Sequence, residues 1–272
     1  MTRLPDHLLD ACRCDPSAPF GQDPARDFGL NKQESQQALA ELRPWLNTQQ
    51  RMLWANRRNA LLLILQGTDC SGKDGVIRRV ISSFDPQGVS IQGFQKPDAC
   101  EQRHAFLWRY QRRLPGPGLL GVFNRSYYEG LISDPLDGLC SAAELPARQQ
   151  AIAAFEAHLL SESIRPLKCF LQISKGEQKQ RLQERLEQPH KRWKLHSSDL
   201  QSYREFDLRQ QRWAEQLSAS HTEAAPWYVI PADHRWLRDW LIASLLTREL
   251  EQLQLDWPDN PPPFSAEALQ QL

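Results

Sequence analysis

Six consecutive apolar residues, Ala60-Leu-Leu-Leu-Ile-Leu65, run straight into Gly67-Thr-Asp-Cys-Ser-Gly-Lys-Asp-Gly75, and this junction leaves few folds open. A short, wholly apolar run ending in a glycine turn reads as a strand buried on both faces, hence one inside a sheet covered by helices on both sides. Residues 76–84, Val-Ile-Arg-Arg-Val-Ile-Ser-Ser-Phe, are compatible with a helix after the turn. Two glycines five positions apart, a lysine directly after the second, and the strand and helix flanking them make a Walker A loop. Its glycines let backbone N–H groups turn inward around a phosphate, the helix aims its positive end at the same place, and Lys73 reaches the outer phosphates.

Further strands are expected at 89–94, 119–123, 167–173 and 227–230, separated by helical patterns at 100–114, 144–163, 177–186, 200–217 and 235–253. Strands alternating with helices predict an α/β fold, a five-stranded parallel sheet between helical layers. Ahead of it, Leu39, Leu42, Leu46, Met52 and Leu53 recur near helical spacing over 35–58, with Pro44 expected to kink or divide that helix. Residues 1–35, rich in Pro, Asp and Gly, read as an arm laid over a neighbour or partly disordered, and residues 36–272 as one domain. The proline-rich 257–264 reads as a stop after the last helix.

Gly67, Thr68, Cys70, Ser71, Gly72 and Gly75 are therefore candidate phosphate contacts, with Lys73 as the catalytic cation. Asp74 stands where such loops commonly carry the Ser or Thr that binds Mg2+, and Asp69 adds a second carboxylate to a loop built for anions. Carboxylates there repel phosphate unless a cation or a positioned proton intervenes, so Asp69 is assigned to Mg2+ or to orienting the acceptor phosphate, and Asp74 to direct or water-mediated contact with the metal, with Mn2+ as a substitute. A plain helix N-terminal charge is the alternative for Asp74. Cys70, beside Lys73 and the loop N–H groups, is expected to favour thiolate and to react with thiol reagents.

After the third strand comes Asn124-Arg-Ser-Tyr-Tyr-Glu-Gly130, at the carboxyl edge where ligands of parallel sheets bind. Asn124, Arg125 and Glu129 occupy the place of a Walker B acid: Glu129 is a candidate Mg2+ ligand, and Arg125 neutralises charge on the phosphoryl group in flight. Between residues 165 and 194 nine Lys or Arg face three Glu, and the segment closes on Pro189-His-Lys-Arg-Trp-Lys194. Such a local excess, centred on Lys191, Arg192 and Lys194, suits a helical lid over about 187–205 that closes on phosphates. Arg103, Arg109, Arg112, Arg113 and Arg125 follow one another with no acid between the first and last. Of these Arg113 is a candidate for the path of a long anion, although a surface charge is the default for arginine.

Thirty-three basic and thirty-three acidic side chains cancel, so nothing in the overall balance argues for adsorption to nucleic acid or to an anionic membrane. The N-terminal twenty residues contain no continuous apolar segment, and a cytoplasmic, soluble enzyme is expected. Cys12, Cys14, Cys70, Cys100, Cys140 and Cys169 lack zinc or disulfide spacings and read as reduced thiols. An ATP-dependent nucleotide or nucleoside kinase shares the loop and lid logic, and a phosphate-binding regulator or RNA-binding protein could use the same arginines. The long basic track favours a polyanionic substrate over the first, and the loop acids count against the second.

Taken together, GTDCSGKDG, FLWRYQRRLP, GVFNRSYYEG, KCFLQISKGEQKQRLQERL, KRWK and PWYVIPADHRWLRDWL resemble, in order and spacing, the type 2 polyphosphate kinase family over roughly residues 39–253. The resemblance implies a thymidylate-kinase-like P-loop kinase fold with a helical lid, Mg2+ dependence, and phosphoryl exchange between inorganic polyphosphate and nucleotides such as AMP, ADP and ATP. FNRSYYE resembles the subgroup acting on both nucleoside mono- and diphosphates. By position, Asp69 and Lys73 match the Walker A acid and lysine, Asn124, Arg125 and Glu129 the Walker B-like group, and Lys191, Arg192 and Lys194 the lid. In that subgroup a second acid commonly follows the glutamate, whereas Gly130 stands here, and Asp98 replaces a usual threonine after Pro97. A homo-oligomer is expected.

Overall fold

The structure is a computed structural model that describes residues 3–264; the final residues of the domain expected over 36–272 lie outside the described residues. Five parallel strands make one sheet in the order β2-β3-β1-β4-β5: β1 Ala60–Gln66, β2 Val89–Gly93, β3 Leu120–Asn124, β4 Ile164–Gln172 and β5 Trp227–Pro231. The helices are α1 Asp6–Asp10, α2 Lys32–Asn56, α3 Lys73–Arg79, α4 Trp108–Gln111, α5 Glu129–Leu136, α6 Leu145–Ser161, α7 Lys175–Glu187, α8 Ser198–Arg204, α9 Phe206–Ser220 and α10 Arg235–Gln252.

Central β1 explains the three layers. Its alternate side chains Leu61, Leu63 and Leu65 enter one core with α2, α3 and α10, while Ala60, Leu62 and Ile64 enter the other with α5, α6 and α9. Every residue of β1 is buried, and each such Leu or Ile side chain contributes roughly 1.5–3 kcal/mol. Apolar residues on both faces of a strand are thus the direct record of helices on both sides.

Several expected elements come out differently. Pro44 does not divide the leading helix: α2 runs unbroken, started by an Asn31–Glu34 capping box and ended by Arg57 at φ 50°. Its buried Ala38, Leu42, Leu46 and Leu53 share a core with α10, so tertiary packing outweighs the one hydrogen bond that proline forfeits. The helix expected over 100–114 reduces to a 3-10 turn at Glu101–Arg103 and the single turn of α4. His104 between them is extended and its ring stacks 3.9 Å from Trp108. The helix expected over 200–217 is two, α8 and α9, interrupted at Glu205. The sequence reading missed α5 because Gly130 and Pro135 are poor helix formers; Arg148 holds it by donating to Gly130 O at 3.0 Å and Asp134 at 2.6 Å.

Residues 3–10 lie against α10, and residues 12–14 run along the free edge of β5. Cys14 N donates to Trp227 O at 2.9 Å and Val229 N to Cys12 O at 2.7 Å, an antiparallel bridge, while Leu4, Leu9, Cys12 and Cys14 are buried. The segment that composition presents as an arm therefore covers an edge strand of its own sheet.

Candidate functional site

β1 and β3 are neighbours in parallel register, with Leu65 opposite Asn124, so their carboxyl ends deliver residues 67–73 and 124–129 to one crevice. The turn after β1 needs its glycines. Gly67 has φ 142°, and a Cβ there would stand 2.6 Å from Leu171 O; Gly72 has φ 105°, and a Cβ would meet the Arg238 guanidinium at 1.9 Å. Cys70 and Arg125, at φ 67° and 66°, carry left-handed backbone without being glycine, one in each of the two turns that face each other.

Lys73, the first residue of α3, is buried, and its ammonium donates to Gly67 O at 2.7 Å, Thr68 O at 3.2 Å and Ser71 Oγ at 3.4 Å. Burial, with Arg125 nearby, pulls this ammonium below the ordinary lysine value against the pull of Asp69, Glu129 and Asp74. Arg125 donates to Asp69 Oδ1 at 2.9 Å. Burial pushes the Asp69 carboxyl up, but Arg125, Lys73, Ser202 and Arg209 outweigh it and leave the group below the usual carboxylate range. Glu129 foremost, then Asp69, hold Arg125 charged.

Asp74 accepts from Asn124 Nδ2 and from Lys194 Nζ, each at 2.9 Å. Burial raises its carboxyl, and these two bonds with the Lys194 and Lys73 charges lower it further than burial lifts it. One contact thus joins the basic turn Pro189–Lys194 to the loop. The other lid candidates do not reach it: Arg192 donates to Leu186 O at 2.8 Å and is exposed, and Lys191 is near Glu184. Arg113 is exposed in the turn after α4, and among the described residues no hydrogen bond or ion pair joins it to the loop.

One expectation is corrected here. Cys70 is no poised thiolate: it is buried, and burial pushes its thiol up to about 11 in spite of Arg185 and Lys73. The loop's N–H groups and cations do not outweigh the desolvation of a thiolate. Around Asp69, Asp74 and Glu129, among the described residues, no three carboxylate, histidine or cysteine groups gather as an all-protein metal cage. Each has a partner of its own: Arg125 for Asp69, Lys194 and Asn124 for Asp74, and the Ser133 hydroxyl for Glu129.

Behind the loop stand two arginines that no local pattern ties to it. Arg181 of α7, buried, donates to Cys70 O and Ser71 O at 2.9 and 3.1 Å and to Ala232 O and Asp233 O at 2.6 and 2.9 Å. Arg238 of α10 donates to Ser71 O at 3.3 Å while paired with Asp239. Carbonyls tied back to guanidinium groups hold the loop in the turned shape that aims backbone N–H groups at an anion. In the sequence Arg181 appears only as one charge of the basic stretch 165–194 and Arg238 as one of three arginines in 235–252; burial is what marks them. The space a side chain at Gly130 would take is filled by Phe106, whose ring lies 2.8 Å from a Cβ placed there.

The model of the polyphosphate kinase 2 family matches residues 29–257. Among similar proteins is the AMP/ADP-polyphosphate phosphotransferase of Meiothermus ruber, 39% identical over 254 residues, 93% of each chain. The ADP-polyphosphate phosphotransferase of Rhodopseudomonas palustris is 36% identical over 237 residues, 83% of this chain and 82% of that one. The crystal structure of polyphosphate kinase 2 from Arthrobacter aurescens TC1 superposes with a TM-score of 0.90 at 35% identity, covering 96% of this chain and 94% of that one. Its Walker A loop on a 2-3-1-4-5 parallel sheet is that of a P-loop kinase, and the chain belongs to the polyphosphate kinase 2 family.

Proposed function

We propose that this chain transfers phosphoryl groups between inorganic polyphosphate and AMP or ADP, with GMP and GDP as further acceptors. The observation that carries the reading is Lys194 of the basic turn seated 2.9 Å from Asp74 of the phosphate loop, which brings the cationic segment and the loop to one mouth. The relatives' printed names, phosphotransferases for AMP, ADP and polyphosphate, support the substrate pair.

In this reading the terminal phosphoryl group of the chain lies against the loop N–H groups and Lys73. An acceptor phosphate oxygen forms the new P–O bond as the bond to the rest of the polyphosphate breaks. Lys73 and Arg125 take up the charge on the phosphoryl oxygens; Asp69 aims the Arg125 guanidinium through its hydrogen bond, and the Glu129 carboxylate acts on it by charge. Lys194 lies along the departing polyanion, and Lys191 and Arg192, farther out on the same turn, meet the chain as it approaches.

The loop's donors fit Mg2+, with Mn2+ as a substitute: the carboxylates of Asp69 and Asp74, and a buried Thr68 hydroxyl with no protein partner. Mg2+ is held by one or two carboxylates plus substrate phosphates rather than by an all-protein cage. Bound there, it would neutralise charge between the two phosphates. Among the described residues no helix is long and apolar enough to cross a membrane, and the six cysteines are free thiols, which supports a reducing, cytoplasmic setting.

The test is to incubate the purified protein with Mg2+ and polyphosphate and, separately, AMP, ADP, GMP or GDP, with ATP replacing polyphosphate in parallel. Polyphosphate-dependent formation of the next higher nucleotide is the expected result. Transfer from ATP with none from polyphosphate would assign the chain to ordinary nucleotide kinases instead.

A further inference from the structure

Gln66 closes β1, one residue ahead of the phosphate loop, and is fully buried. It lies outside the loop's own pattern, and nothing in its type or spacing singles it out. The register that sets Leu65 opposite Asn124 brings it under the turn 124–129. There its carboxamide spans two groups. The amide oxygen accepts from Ser126 N at 3.0 Å and Ser126 Oγ at 2.9 Å, and the amide nitrogen donates to Glu129 Oε1 at 3.0 Å. The opposite orientation would set an amide oxygen against a carboxylate oxygen, so the hydrogen-bonding pattern selects this one.

The second carboxylate oxygen, Oε2, accepts from Ser133 one turn along α5. Glu129 is thus tied from two sides: by its own helix, and through Gln66 by the strand that carries the phosphate loop. Only the second tie relates the carboxylate to the loop. A buried amide with both ends satisfied has a single low-energy orientation, since turning it away leaves a buried polar group and a carboxylate unpaired. Lys73 and Arg125 both feel the charge of Glu129, so the group held by Gln66 is electrostatically joined to both cations of the site.

We infer that Gln66 is a positioning residue for phosphoryl transfer, bridging Ser126 and Glu129 so that the Glu129 carboxylate keeps its place relative to the phosphate loop. The inference rests on the function proposed above, in which the Glu129 carboxylate acts by charge on Lys73 and Arg125. Gln66 touches neither phosphate nor nucleotide; it acts through Glu129.

The experiment is a double-mutant cycle on the full chain with Gln66→Met, Glu129→Gln and the two combined, following ATP formation from ADP and polyphosphate. Rates are taken well below each variant's melting temperature, so that a loss of stability alone leaves kcat unchanged. Misplacing a working group by about an ångström costs up to roughly 100-fold, so Gln66→Met is expected to lower kcat by about 10- to 100-fold with both KM values within about twofold. Because Gln66 acts through Glu129, the combined variant is expected to be no slower than Glu129→Gln alone. Losses that multiply in the combined variant, a loss confined to KM, or a wild-type kcat in Gln66→Met would overturn the inference. A wild-type kcat in Glu129→Gln would overturn it too, by leaving Gln66 nothing to position. Should Gln66→Met fail to fold, Ser126→Ala, which removes only a hydroxyl from the same bridge, replaces it in the cycle with the same expectations. A failure of the functional reading itself shows earlier and separately, as no polyphosphate-dependent transfer by the unmodified protein.

Discussion

Lys194 Nζ lies 2.9 Å from Asp74 Oδ2, across 120 residues of chain, and this ion pair joins the basic turn after α7 to the first turn of α3. The partners are unequal: the lysine side chain is the less exposed and the aspartate the more exposed of the two. A pair this open to solvent stabilises the fold little. Its interest lies in placement, since it holds one lid cation where a polyphosphate chain entering the loop would meet it.

If that cation belongs to the polyphosphate path, Lys191→Ala/Lys194→Ala raises the KM for polyphosphate more than the KM for ADP. Contacts with a polyanion are screened by salt, so the wild-type KM for polyphosphate should climb steeply with ionic strength and less steeply in the double variant. Initial rates at two salt concentrations measure both slopes. Equal slopes would remove the turn from the polyphosphate path. Lys194→Ala alone should account for most of the effect, because Lys191 does not reach the loop.

Lys73→Met should lower kcat by about 10²- to 10³-fold, the usual cost of removing a preorganised group that meets developing charge. The far-ultraviolet circular dichroism should be unchanged, because the apolar stem of methionine fills the same buried space. Near-normal turnover would take Lys73 out of the chemistry.

Thiol chemistry should bypass the loop. With Cys70 buried and its thiol pushed up to about 11, while Cys100 is exposed, Ellman's reagent at pH 8 should label Cys100 first and leave activity intact. Cys100→Ser should abolish that fast phase. Rapid inactivation that polyphosphate prevents, and that Cys70→Ser removes, would contradict this.

Asp69 links stability to acid. Its folded carboxyl lies below the ordinary value of 3.8, so the unfolded state takes up its proton first as pH falls. The stabilisation is therefore complete above that ordinary value and is lost as pH drops through the lower folded one. Urea midpoints measured from pH 7 down to pH 3 should fall more steeply for wild type than for Asp69→Asn, with the two curves converging at the acid end.

A second polar cluster lies deeper. Lys168 of β4 donates to Glu156 Oε2 at 2.9 Å and to Ser220 O at 2.9 Å, while the hydroxyls of Tyr127 and Tyr128 donate to Glu156 Oε1 at 2.7 and 2.8 Å. Removing one member of a buried pair leaves the other charge uncompensated, so Lys168→Met should cost about 3–5 kcal/mol in urea unfolding. Lys168→Met/Glu156→Gln should recover part of that loss. A smaller cost for the single variant than for the double would show that the pair is not what holds this core.

Much of this architecture is local in origin and therefore legible along the chain. The six apolar residues of β1, the glycines after it and Lys73 announce strand, loop and helix because each signal acts within a few residues of its cause. The same holds for the other strands, which lie where apolar runs end in turn residues, and for Asp69 and Arg125 as members of two separate motifs, although their pairing across 56 residues is the fold's doing. What only the assembled fold decides is which distant groups meet and what water leaves. Gln66 reaches Glu129 because β1 and β3 are adjacent in a particular register, and Arg181 and Arg238 brace the loop because α7 and α10 pack behind it. Pro44 stays helical and Cys70 stays protonated for a related reason. Packing and desolvation are sums over neighbours far apart in sequence, and their magnitudes exceed the local preferences of a single proline or the pull of nearby cations on a thiol.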